Sequence, residues 1–295
     1  MLYITYPLNG ILMIGVPLLL GLYLARRLGT AWGLFGAGMA TFILSQVVHL
    51  PLLWGLTTLF QNKVLPAPPG PWRLVFNAVV LGLAAGLCEE LARYLVLRYW
   101  LKSARTWRQA LMFGAGHGAV EAIILGGVVL VAFINMVAVR SADVKTLGLS
   151  PAQQMLAAQQ IAAYWSAAWP GTLLGAVERV FAVCIHLSAA VLVMQAFTRR
   201  NRLWLGAAIL WHAGVDGVTV LASGAGVGAY PLEAAVGALA VLGLVMVFAL
   251  RPRQPEPEPA AAPNAVVLGA PPSPRAADRA AADLQEQVDQ SKYSG

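Results

Sequence analysis

The chain has 295 residues, 59% of them hydrophobic and only 11% charged. A soluble domain carries roughly 25% charged residues, so most of this chain cannot face water, and a soluble globular protein is excluded. The formal charge of +7 would suit a nucleic-acid partner, but the Lys and Arg residues sit in short segments between apolar runs, which leaves an integral membrane protein with no nucleic acid and the lipid bilayer as its medium.

Apolar runs of about 20 residues recur, the length that crosses ~30 Å of hydrocarbon, and strand-like alternation is absent. The fold class is therefore all-α, a polytopic bundle of about seven transmembrane helices. The first span covers 6–25 and ends in Arg26-Arg27, the pattern of an uncleaved signal anchor. The second, 31–58, is long enough for a tilt or a bend at Pro51, and the third and fourth cover 74–98 and 109–138. Residues 139–168 form a loop on the opposite side from Arg26-Arg27. In it, Ser150-Pro151 predicts an N-cap and a first-turn proline, and 152–169 a helix lying at the membrane surface. Spans five to seven cover 170–197, 203–223 and 231–250. Residues 1–251 make one membrane domain, and the Pro- and Ala-rich remainder, 252–295, reads as a disordered cytoplasmic tail with a short helix near 276–290.

The basic residues set the orientation. After spans one, three, five and seven stand eleven Lys and Arg residues, against four on the other side: Lys63, Arg73, Arg140 and Lys145. The N-terminus is therefore placed outside, in a multi-pass cell-membrane protein. Cys88 and Cys184 lie inside spans and read as reduced apolar residues.

Ionisable residues inside the spans carry the functional signal, because charges at bilayer depth cost several kcal/mol and persist mainly where they act. They are Glu89-Glu90 with Arg93, His117 with Glu121, and His212 with Asp216, each set at helical spacing. Arg93 can neutralise one glutamate and leave the other, less compensated, free to take a proton from water. At 1.5 Å per residue, Glu89, His117 and His212 lie roughly 13 to 15 Å from the basic cytoplasmic ends of their spans, and His186 roughly 20 Å. Four helices thus bring acids and imidazoles to a similar depth. Glu178, eight residues before His186, is that histidine's acid partner in this reading, though Glu178-Arg179 also reads as a structural ion pair. His49, beside Pro51, reads as an ordinary satisfied polar residue. Gly82 and Gly86, and Gly114, Gly116 and Gly118 around His117, permit close helix approach. A proton-coupled transporter uses the same kinds of buried acid and histidine, and a haem protein could use the histidines as axial ligands.

The segments Glu89-Glu90-Leu91-Ala92-Arg93, Phe113-Gly114-Ala115-Gly116-His117 extending to Glu121, and His212-Ala213-Gly214-Val215-Asp216 resemble the YhfC-type intramembrane metalloproteases. These are distant relatives of the CAAX-protease and bacteriocin-processing superfamily and of the PrsW proteases. The resemblance implies an intramembrane endopeptidase acting on a membrane-associated or lipidated peptide. By position, Glu89 would activate the water, with Glu90, His117 and His212 in the catalytic set. His117, His212, Asp216 and His186 would hold zinc, or bind the water and the developing oxyanion in a metal-free glutamate mechanism. Arg93 and Glu121 would support them from behind.

Overall fold

A computed structural model describes residues 1–141 and 148–253. Lys145 and the tail beyond Arg253 lie outside the described residues. The described elements are eight α-helices, with short 3-10 turns at Gly70–Trp72 and Gly171–Leu173 and no strand among them: α1 (Leu2–Leu28), α2 (Trp32–Gln61), α3 (Arg73–Tyr99), α4 (Trp107–Val139), α5 (Pro151–Ser166), α6 (Leu174–Thr198), α7 (Leu203–Gly224) and α8 (Ala229–Ala249). All but α5 are long and apolar enough to span a bilayer, seven in all among the described residues. Their ends follow local chemistry. Gly29 closes α1 in the left-handed conformation at φ 64°. Thr106 with Gln109, and Ser150 with Gln153, form capping boxes at the starts of α4 and α5.

The helices add detail to the sequence reading. Helix α1 begins at Leu2 and runs through Pro7 and Pro17, and α2 continues unbroken through Pro51. Helix α5 stops at Ser166, short of the expected 169, where Ala167 leaves the helical region at ψ 142°, three residues ahead of Pro170. Stacked Tyr6 and Tyr164 rings, 4.0 Å between centroids, and Arg140 over the Trp165 ring at 4.6 Å tie α5 to α1 and to the end of α4.

Helix α6 is central. Every residue from Ile185 to Ala196 is buried, which is why its sequence shows no polar stripe. Helix α3 packs most extensively on α7, and α4 lies against α1, α2 and α6. At the start of α6, the backbone N–H of Ala176 donates to Asn9 Oδ1 at 2.7 Å, fixing that helix to α1.

Glycines set how closely these helices approach. A Cβ on Gly116 would overlap the Phe35 carbonyl, and one on Gly38 the Phe113 carbonyl, so α2 and α4 touch backbone to backbone. Gly82 and Gly86 play the same part between α3 and α7, and Gly114 and Gly118 between α4 and α6. Backbone carbonyls cannot swing aside as side chains do. Gly116→Ala is therefore expected to destabilise by about 1 to 3 kcal/mol, the usual cost of overpacking. Gly127→Ala, which meets nothing within 4 Å on the same helix, should be silent. Thermal midpoints in detergent compare the two, and equal midpoints would refute the close α2–α4 approach.

Candidate active site

Four of the helices closed up by these glycines, α3, α4, α6 and α7, carry every candidate residue, and the structure brings those residues into one connected cluster. Arg93, fully buried, donates through Nη1 to Glu90 Oε1, and its Nη2 lies 3.8 Å from Glu89 Oε2. From α7, His212 Nδ1 meets Glu90 Oε1 at 2.6 Å. Glu90 thus faces a cation on its own helix and an imidazole across the α3–α7 seam.

The second glutamate is held differently. Glu89 Oε2 contacts His117 Nε2 at 3.0 Å, and Gln46 Nε2 from α2 points at Glu89 Oε1 at 3.4 Å. The spacing within α4 suggested a His117–Glu121 pair, and this is corrected: His117 turns to Glu89, and its Nδ1 is buried without a hydrogen-bond partner. Glu121 pairs with His186 Nε2 at 2.7 Å and with Arg179 at 2.5 Å. The acid partner of His186 is therefore Glu121 and not Glu178, which pairs with Arg179 at 2.5 Å. Helical spacing puts two residues on one face, but the rotation of that face against its neighbours decides which contacts form. Gln46 is the residue that sequence reasoning missed. It also meets His49 Nδ1 at 3.3 Å, so His49 lies at the edge of the cluster. Attention to uncharged amides within spans, and not to ionisable residues alone, would have found it.

Donor chemistry fixes the imidazoles. Arginine only donates, so His186 Nδ1, 2.8 Å from Arg93 Nη2, is the acceptor, and its Nε2–H points to Glu121. A carboxylate only accepts, so His212 carries a proton on Nδ1 toward Glu90, and in the neutral ring, the form that can bind a metal, Nε2 turns its lone pair the other way. That lone pair faces Glu89 Oε2 at 3.7 Å and Asp216 Oδ2 at 3.6 Å. Glu89, Glu121, His186, His212 and Asp216 all line one cavity of about 120 Å³. His117 does not line it and stands behind Glu89.

The donor set fits a metal ion. One donor atom each from Glu89, His186 and His212 lies within 4.8 Å of the others, and all three residues are buried. Two ligands on one tetrahedral zinc are ~3.3 Å apart, close to the 3.6 and 3.7 Å from His212 Nε2 to its carboxylate neighbours. The carboxylate on the far side of the His212 ring is the usual way a histidine ligand is oriented.

Fold and site together define a polytopic membrane protein with a buried acid–imidazole centre at the meeting of four helices. Residues 12–236 match the YhfC intramembrane metalloprotease family, and the chain belongs to it. It is 29% identical over 220 residues, 70% of this chain and 79% of the relative, to the uncharacterized membrane protein YhfC of Bacillus subtilis strain 168. No solved structure matches the chain.

Proposed function

We propose that the protein is an intramembrane endopeptidase that hydrolyses a peptide bond with a water activated by Glu89. The observation that carries this reading is the carboxylate of Glu89, in contact through both oxygens and set in the wall of a buried cavity that His212 Nε2 also faces. A general base must be oriented as well as basic. Here His117 and Gln46 orient Glu89, and Arg93 with His212 absorbs the charge of Glu90. Glu89 takes a proton from water, the water oxygen bonds to the peptide carbonyl carbon, and the proton leaves with the amine as the C–N bond breaks. Zinc would be held by His212, Asp216 and His186, and would lower the pKa of water there and polarise the carbonyl. For His186 to ligate, it must release Glu121 or Arg93. The substrate is a membrane-associated or lipidated peptide. In support, an apolar groove of about 480 Å³ between α2 and α3 reaches Ser45 and Cys88, the neighbours of Gln46 and Glu89.

Metal analysis of detergent-purified protein tests the ligand assignment. About one zinc per chain is expected in the parent, as for a mononuclear site with three protein ligands. Zinc should be lost in His212→Ala and largely retained in His117→Ala. Equal loss in both would return His117 to the ligand set, and a folded parent without metal would point to a metal-free glutamate mechanism.

A proton-coupled transporter is the second reading. Glu178, Arg179, Glu121, His186, Arg93, Glu90 and His212 form a continuous chain of polar contacts, in which the acids and imidazoles could pass protons but the always-charged Arg179 and Arg93 could not. Beyond Glu90, however, Leu97 and Met112 are fully buried. Proton-driven flux in proteoliposomes would favour this reading over hydrolysis.

A further inference from the structure

Hydrolysis consumes one water per bond, and the site lies within the membrane-spanning part of the bundle. The structure closes it on one side. Toward the α3–α4 and α6–α7 turns, the predicted cytoplasmic face, the fully buried side chains Leu97, Met112, Phe113, Val191, Val193 and Met194 form an apolar layer, and the buried polar residues Ser188 and Gln195 on that side of α6 are already paired, with the Ile185 carbonyl and Trp211 Nε1 and with Arg199. The other side is polar. From Glu89 the cavity runs past Glu121 and Asp216 to Thr219 on α7 and to Glu178 and Arg179 near the start of α6. Side-chain exposure rises along it, from 8% at Glu89 to 24% at Glu121, 39% at Asp216 and 40% at Glu178. Carboxylates exposed to that degree within a span cannot face hydrocarbon without a cost of several kcal/mol, so they face water. Glu233, one turn before Val236 at the cavity wall, leaves a buried carboxylate oxygen without a protein partner, which water can satisfy.

We infer that this cavity is a water-binding vestibule between α6, α7 and α8. It supplies the site from the face that carries α5 and the α7–α8 turn, even though the site stands nearer the opposite ends of α3, α4 and α7. Arg179 spans its width. With Glu121 on α4 and Glu178 on its own helix both 2.5 Å away, it holds the vestibule as a polar channel and keeps lipid out. The inference rests on the hydrolase reading for the need for water, but not for the route.

Thiol labelling in sealed membrane vesicles of known sidedness reads the route without any cleavage. In full-length protein with Cys88 and Cys184 replaced by alanine, Ala182→Cys and Thr219→Cys place probes on two different walls of the vestibule. Val180→Cys and Val218→Cys are controls at similar depth, on exposed positions of the same two helices outside the vestibule lining. Gln159→Cys on exposed α5 identifies the face. A thiol reacts as thiolate and needs water to ionise, so vestibule probes should label at least about tenfold faster than the controls. They should do so only when a membrane-impermeant reagent is added on the side that labels Gln159→Cys. Labelling from the opposite side, or rates equal to the controls for both probes, would overturn the vestibule. Either result leaves the role of Glu89 to be decided by its own variant.

Discussion

The Glu89→Gln protein is expected to cleave peptide at about a thousandth of the parent rate or less, the usual loss when a positioned base is removed, while still holding its metal. The amide keeps the size of the side chain, and its one oxygen can still accept from His117 or Gln46, which lie 3.0 and 3.4 Å from the two carboxylate oxygens, while its NH2 needs the other partner to present an acceptor. It cannot accept the proton of a water. Retained metal with lost cleavage assigns Glu89 as the base. Lost metal would make it a ligand, in keeping with its place in the compact Glu89–His186–His212 group. Normal cleavage would remove Glu89 from the mechanism altogether. Metal content and single-turnover cleavage on the same preparation separate these outcomes.

Arg93→Met is expected to give the largest loss of stability among these residues. Arg93 and Glu90 are both fully buried, and the guanidinium also reaches His186 at 2.8 Å and Glu89 at 3.8 Å. Removing one partner of a buried ion pair leaves a charge without compensation and costs about 3 to 5 kcal/mol. The double variant Arg93→Met with Glu90→Gln should recover much of that loss, because no buried charge of the pair is then left alone. Unfolding in detergent, followed by the loss of monodisperse protein on heating, compares the two. If the double variant is no more stable than the single one, packing of the Arg93 side chain outweighs its charge.

The spans were legible in the sequence because membrane crossing is a matter of length and apolarity, and both are written locally. The start of α5 was legible for a similar reason, since Ser150, Pro151 and Gln153 form a cap with their own neighbours. Which residues would share a depth could also be read, because helix rise converts position into distance. Which acid meets which histidine could not. That choice depends on how each helix is rotated, and the rotation is set by contacts such as Gly116 on Phe35 and Gly82 on Ala213, between residues far apart in the chain. Hence His117 faces Glu89 and not Glu121, and Gln46 arrives from a helix that carried no recognised signal.

The ion pairs also bear on the order in which the chain can enter the bilayer. Arg93 and Glu90 are three residues apart on one helix, so α3 brings the counter-charge for one of its two acids, and Glu89 meets its nearest imidazole, His117, as soon as α4 follows. Glu121 on α4 has no such partner nearby. Its counter-charges, Arg179 and His186, arrive only with α6, after the α5 segment has been made. A nascent chain cut off before α6 therefore holds an orphan acid, and α4 completes its insertion as a pair with a helix synthesised later.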